Sequence, residues 1–257
     1  MAPLMGRFMK GLEDTGTSTA HVNWAEYYDF IYESEFGDSY HRMTAITIDS
    51  IRKYLPSGTI IDYGAGTGRI TIPLKQAGYD FIAVEPCAEM TQVLATKADT
   101  AGVEIPVHVC RTSGYENGHA DMAICVFTVL NYITGDQEMH QSLDTMVRHL
   151  NSNGLLFLDL PNDIFFELGQ VSNINMPSLR RLATIQPQSG NIYTYRETTS
   201  GVMSGMHFNF TDEFPLRKWS WKEVDRMLDQ LGMVALPDAF VQLNYTSARY
   251  RMYRKKR

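Results

Sequence analysis

The 257-residue sequence predicts an α/β protein with a doubly wound, mostly parallel sheet and an inserted antiparallel cover. Three observations carry this. Short apolar runs alternate with amphipathic helical stretches from Thr59 to Leu160, the rhythm of βαβ units. A glycine-rich turn, "DYGAGTGR", joins the first run to its helix. After Pro161 the apolar period drops to two, the mark of antiparallel strands with one buried face. The division that follows is a mobile leader over 1–23, a core over 24–170 and 215–257, and a cover over 171–214.

From Trp24 to Leu55 apolar residues recur at three- and four-residue spacing, and Pro56-Ser57-Gly58 stops the helix. Strands are then predicted over Thr59–Tyr63, Tyr79–Val84, Ile105–Cys110, Met122–Val129 and Gly154–Leu160. The intervening helices cover Thr67–Ala77, Ala88–Ala101 and Asp136–Leu150. In the cover, "NIYTYRE" and "MHFNFTDEF" alternate, with Phe208 and Phe210 on one face and His207, Asn209 and Thr211 on the other. "SWKE" at Ser220–Glu223 matches a capping box opening a helix to Leu231. Two further strands are expected around Val234–Leu243 and Ala248–Tyr253.

Composition narrows the function. A formal charge of −6 and a pI near 5.6 argue against a nucleic-acid partner, which usually calls for a basic face. The basic tail "RYRMYRKKR" reads as a last strand with a solvated end. No apolar run approaches the roughly 20 residues that span a bilayer, and the N-terminus lacks the apolar core of a signal peptide, so a cytoplasmic location is expected. Cys87, Cys110 and Cys125 have no CxxC spacing, and no histidine pairs with another at ligand spacing, so no metal is expected.

The glycine turn points to a ligand. In an open parallel sheet ligands bind beyond the carboxyl ends of the strands, and glycine there lets a ligand approach the backbone. Gly64, Gly66 and Gly68 followed by Arg69 give GxGxG, neither the GxGxxG of a dinucleotide site nor a phosphate loop ending in Gly-Lys-Ser/Thr. Glu85, ending the second strand, is placed to accept hydrogen bonds from both hydroxyls of a ribose. An unblocked ribose with a compact charged head, rather than a pyrophosphate, describes S-adenosylmethionine. Gly68 either contacts that cofactor or permits close helix–strand packing, Arg69 either pairs with its carboxylate or lies on a helix surface, and Asp62 touches the ligand, orients the turn, or does both.

"DYGAGTGR" followed by "VEPCAEM" resembles the class I S-adenosylmethionine-dependent methyltransferases, from about Trp24 to the C-terminus. Within them the chain looks most like small-molecule enzymes such as glycine and aminosugar N-methyltransferases, through "YYDFIY", the cover and "LRKWSWKEV". The resemblance implies a seven-stranded sheet with its last strand antiparallel. It implies that Asp62, Gly64, Ala65 and Gly66 hold the methionine end, that Glu85 binds the ribose, and that Pro86 and Met90 pack near the nucleoside. Thr112 and Ser113, in "CRTSG", stand where many members carry an acid near adenine. The exit "FTVLNY" would set Phe127, Asn131 and Tyr132 beside the methionine portion and the acceptor, and Tyr28 or Tyr32 would close over the cofactor.

The acceptor site is less defined. His207, on the polar face of the cover, is the candidate for acceptor binding or proton removal, with Tyr132 as its companion; the alternative for His207 is a solvent-facing strand position. "LNYI" replaces the Asn/Asp-Pro-Pro-aromatic motif of nucleobase amino methyltransferases, which leaves a small metabolite as acceptor. The resemblance favours nitrogen over oxygen. The alternatives are O-methylation, a cofactor-binding module without catalysis, and a nicotinamide-dependent oxidoreductase, which Arg69 disfavours.

Overall fold

The structure, a computed structural model, describes residues 20–237 and 248–256. Two helices lead, α1 (Tyr28–Phe36) and α2 (Asp38–Tyr54). The parallel units follow as β1 (Thr59–Tyr63), α3 (Thr71–Gln76), β2 (Asp80–Val84), α4 (Ala88–Thr100), β3 (Val107–His108), β4 (Ala120–Cys125), α5 (Asp136–Arg148) and β5 (Leu150–Pro161). A short helix, α6 (Asp163–Glu167), leads into four antiparallel strands: β6 (Gln170–Asn175), β7 (Leu179–Ser189), β8 (Ile192–Met203) and β9 (Met206–Arg217). The chain returns through α7 (Trp221–Gln230) to β10 (Met233–Ala235) and β11 (Ala248–Lys255).

The main sheet has seven strands in the order β10-β11-β5-β4-β1-β2-β3, with β11 antiparallel to β5. Its central strands are apolar on both faces because both are covered. Ile61, Ala123, Cys125, Leu156 and Leu158 face α5 and α7, while Ile60, Met122, Ile124, Leu155 and Phe157 face α2 and α3. The order turns back at β1, with β2 on one side and β4 on the other, and that switch point opens at the carboxyl ends of the strands. The four-stranded sheet β6-β7-β8-β9 is the inserted cover. Its Tyr195, Phe214 and Leu216 pack with Phe166 of α6, and its Leu179, Phe208 and Phe210 pack with Trp24 and Ile31.

The expected capping box forms: Ser220 Oγ accepts from the Glu223 N–H at 3.3 Å and a Glu223 carboxylate oxygen accepts from the Ser220 N–H at 2.9 Å. The basic tail is the last strand, with Lys255 Nζ donating to the carbonyls of Val147 and Leu150.

Several boundaries differ from the sequence reading. The helix expected from Thr67 starts at Thr71, because Thr67 to Ile70 complete the glycine turn and Gly68 N–H bonds back to the Ala65 carbonyl at 2.9 Å. The strand expected over Ile105–Cys110 shrinks to Val107–His108. The one expected over Met122–Val129 ends at Cys125, where Phe127 and Thr128 swing into left-handed backbone, at φ 73° and 65°. Of the strand expected over Val234–Leu243, only Met233–Ala235 is seen, and residues 238–243 lie outside the described residues. So do residues 1–19 of the expected leader; Ala20 to Asn23 form a turn packed beside the cover. Among the described residues, no helix is long and apolar enough to cross a membrane.

Candidate active site

The carboxyl ends of β1 and β2 hold the expected cofactor turn. Gly64 and Gly66 both have positive φ, 81° and 54°. Their reasons differ. A Cβ on Gly64 would lie 2.5 Å from Val129, so the turn and the loop after β4 are pressed together there. A Cβ on Gly66 would meet nothing within 4 Å, so the turn is open on that side. Gly68 is a packing glycine: a Cβ there would run into Ile72 at 2.9 Å and Leu94 at 3.1 Å.

Glu85 is buried at this turn. One carboxylate oxygen accepts from the Gly66 N–H at 3.0 Å, the other from the Cys87 N–H at 2.9 Å. Each oxygen keeps a lone pair for a diol. Burial pushes the Glu85 carboxyl up from its ordinary pKa, and the two N–H groups pull it back. Glu85 therefore does part of what the sequence assigned to Asp62, fixing the turn through its backbone. Asp62 is buried one layer below and accepts from Thr71 Oγ at 2.6 Å; burial raises its pKa to about 6 against that hydrogen bond.

Ala65 is buried against Leu94, and Met90 is buried with Cys87 and Ala25, touching Tyr28. Pro86 is exposed. Thr112 and Ser113 open a 3-10 turn just after β3, the strand paired with the one that Glu85 ends. Tyr28 and Tyr32 stand 4.6 Å apart, ring to ring, and Tyr32 meets the Phe127 ring edge-on at 5.4 Å. Arg69 precedes α3 rather than lying on a helix surface, donates to Thr44 Oγ at 2.8 Å and lies 4.7 Å over the Phe127 ring.

Between the sheet, α2 and the cover lies a cavity of about 330 Å³, within the range of small-molecule sites. Tyr32, Phe127, Tyr132, Phe214 and Tyr250 give it aromatic walls; His21, Asp159 and Arg181 bring charge-bearing groups to it. The loop after β4 serves both places: Thr128 lines the cavity, and the next residue, Val129, is the one pressed on Gly64.

His207 does not reach this cavity. It is exposed two residues from the β8–β9 turn, and the alternation that buries Phe208 and Phe210 turns it outward. Tyr132 does line the cavity, and its partner is His21, whose Nε2 lies 3.0 Å from the Tyr132 hydroxyl. Burial drops the His21 pKa to about 4, against the pull of Asp212, so the imidazole is neutral at pH 7. Burial also pushes the Tyr132 hydroxyl far up. Asn131 faces away from the acceptor space, donating to the Arg217 carbonyl at 2.7 Å.

The sequence reading gave no role to Asp159, Arg181, His21 or Asp212. Asp212 of β9 accepts from the His21 backbone N–H and from Trp24 Nε1–H, both at 2.9 Å, and so straps the segment before α1 onto the cover. Tyr27 on Phe208 and Trp24 on Phe210, stacked at 4.3 and 5.3 Å, extend that seam. Arg181 of β7 is buried against Glu197, bidentate at 2.7 and 2.9 Å, and against Glu35 of α1. Asp159 of β5 accepts from the Thr128 N–H at 2.8 Å through Oδ1, and burial raises its pKa to about 7.

A seven-stranded sheet with one reversed strand, a GxGxG turn and an acid directly after β2 make an α/β fold of the methyltransferase kind. Residues 60–154 match the family described as a methyltransferase domain. An uncharacterized methyltransferase of Exiguobacterium sibiricum is 28% identical over 136 residues; the match takes in 52% of this chain and 60% of that protein's length. Among solved structures, an S-adenosylmethionine-dependent methyltransferase from Clostridium acetobutylicum superimposes with a TM-score of 0.78 at 16% identity, over 90% of this chain and 99% of that one. The sugar N-methyltransferase KedS8 from Streptoalloteichus does so with a TM-score of 0.71 at 15% identity over the whole of both chains. The amino pentose methyltransferase CalS10 from Micromonospora echinaspora reaches 0.67 at 17% identity, over 89% of this chain and 96% of that one. Residues 60–154 thus match a methyltransferase domain, and the chain shares its fold with S-adenosylmethionine-dependent methyltransferases.

Proposed function

We propose that this protein methylates a nitrogen of a small-molecule acceptor with S-adenosylmethionine, releasing S-adenosylhomocysteine. The observation that carries this is the placing of the two sites along one loop, the exit from β4. The open side of Gly66 and the buried Glu85 carboxylate fit an amino-acid head and a ribose, and the β4 exit loop runs from Val129, packed on that turn, back to Thr128 and Phe127 on the wall of an aromatic cavity. When bound, that cofactor supplies a methyl group already activated on a sulfonium. What the chain must add is alignment and the exclusion of water, and alignment alone can contribute about 7–11 kcal/mol. Aromatic walls suit a cationic methyl donor.

In this reading Glu85 holds the ribose, with Gly64, Ala65, Gly66 and Asp62 forming and supporting the head-group cradle. Met90, Pro86, Thr112 and Ser113 flank the nucleoside, while Tyr28, Tyr32 and Phe127 roof the cleft. Tyr132 faces the acceptor, joined by His21 in the place the sequence had given to His207. The likeness to an amino pentose methyltransferase and to a sugar N-methyltransferase favours nitrogen over oxygen. We infer no nucleic-acid partner, from the acidic balance, and a cytoplasmic setting. Incubation with S-adenosylmethionine labelled in its methyl group and a panel of amines and alcohols tests the proposal. Labelled N-methyl product with one S-adenosylhomocysteine per turnover is expected. Tight cofactor binding with no transfer across the panel would favour a binding module, and transfer to alcohols alone an O-methyltransferase.

A further inference from the structure

Resting on that reading of the cavity, we propose that Asp159 is the residue that positions the acceptor, by holding an amine that arrives protonated and gives one proton to the Asp159 carboxylate, which frees the nitrogen lone pair for methylation, and that the cavity rejects acidic acceptors. Asp159 lines the cavity at the end of β5 and is wholly buried. Its Oδ1 is held by the Thr128 N–H at 2.8 Å, so the carboxyl cannot turn away, while its Oδ2 has no hydrogen-bond partner among the described residues. A buried carboxylate oxygen without a donor is costly to keep unless a ligand supplies one. Thr128, the residue that fixes Oδ1, has left-handed backbone at φ 65°, so the loop is bent to bring its N–H there.

The charges around the cavity point the same way. Arg181 is the one cation on its lining among the described residues, and it is not free to bind an anion. Its Nε and Nη2 grip both oxygens of Glu197, Nη2 also meets Tyr195 Oη at 3.0 Å, and Nη1 is taken by Glu35. One guanidinium between two carboxylates leaves a net negative charge on that wall. Asp212 adds another behind His21, which is neutral. A carboxylate or phosphate entering this space would face repulsion offset only by hydroxyl donors such as Tyr40 and by the Arg69 guanidinium over the Tyr40 and Phe127 rings, whereas an ammonium finds Asp159 and aromatic faces directly. The acceptor is therefore a compact cationic amine with an otherwise apolar or hydroxylated body.

The test uses the full chain saturated with S-adenosylhomocysteine and three ring-sized probes: cyclohexylamine, cyclohexanol and cyclohexanecarboxylate, titrated by ligand-observed NMR. The amine is expected to bind at least tenfold more tightly than the alcohol, and the carboxylate more weakly than either. Asp159→Asn should cut amine affinity at least tenfold and leave S-adenosylhomocysteine and cyclohexanol binding within twofold. Equal binding of the three probes, preferred binding of the carboxylate, no amine binding, or unchanged amine affinity in Asp159→Asn would each overturn the proposal. If Asp159→Asn loses its fold, seen as lost S-adenosylhomocysteine binding, the ranking by the parent protein decides. If the parent protein itself fails to bind S-adenosylhomocysteine, the methyltransferase reading fails instead, a result separable from every outcome above.

Discussion

Glu85→Gln isolates the contact on which cofactor recognition depends. In the parent protein each carboxylate oxygen accepts one backbone N–H, from Gly66 at 3.0 Å and Cys87 at 2.9 Å, and keeps one lone pair for a ribose hydroxyl. A glutamine of the same shape has one acceptor oxygen. Its amide nitrogen must face the N–H of Gly66 or of Cys87, donor against donor. One charge-assisted bond to the ribose is lost, about 1.5–3 kcal/mol, and the other becomes neutral and about half as strong. A net loss of about 2–4 kcal/mol follows, or roughly 30- to 700-fold in Kd. Titration calorimetry with S-adenosylhomocysteine measures it, and thermal unfolding shows whether the variant is folded. The 2′-deoxy nucleoside closes a double-mutant cycle: removing the hydroxyl should weaken the parent protein strongly and the variant little. A folded Glu85→Gln protein that binds within threefold of the parent would refute the ribose assignment.

Four other outcomes are expected. Gly66→Ala should fold, at a cost of about 1–2 kcal/mol for its left-handed backbone, yet bind S-adenosylhomocysteine poorly, while Gly64→Ala should lose stability outright by striking Val129; melting and calorimetry on both variants separate the two. Asp212→Ala removes the acceptor for two N–H groups and should free the segment around His21 and Trp24, seen as faster proteolysis there and a raised acceptor KM. Arg181→Met strands Glu35 and Glu197 and should destabilise the protein by about 3–5 kcal/mol in urea unfolding. The Asp159 carboxyl, raised by burial from 3.8 to about 7, binds a proton in the folded state that the unfolded chain releases, so stability falls as pH rises from about 4 to 7; Asp159→Asn should remove that fall and gain up to about 4 kcal/mol at pH 8.

Much of the fold is legible in the sequence because its determinants are local. The βαβ rhythm, the glycine turn and the Ser220–Glu223 box each sit within a few residues, and each appears where expected. Boundaries move where a tertiary demand overrides the local pattern. "CVFTVL" has the composition of a strand, yet the chain leaves the sheet at Cys125, and Phe127 and Thr128 take left-handed backbone that their residue types disfavour. The Thr128 N–H spends that bend on Asp159, a contact between positions 31 residues apart, and nothing in the apolar run encodes it.

The two halves of the site differ in the same way. Glu85 is recognisable because it ends a strand one unit after a glycine turn, and the structure bonds it to that turn. The acceptor half has no such grammar, since a segment before α1, the end of β5 and one face of the cover meet there only after folding. His207 was a reasonable choice for a cover histidine, but period-two alternation does not say which face the cover presents to the core. The two phenylalanines do: once Phe208 and Phe210 are assigned to the buried face, His207 must lie outside. His21 and Asp159 offered no comparable signal. One lies in a stretch that reads as a leader, and the other is a single acid in "FLDLP" with no pattern around it. What marks Asp159 is energetic: an acid at a buried position of a sheet opposes folding at neutral pH, and a chain keeps such a group where a ligand offsets the cost. The stability gained by Asp159→Asn and the amine affinity lost by it should therefore come from the same ionised oxygen.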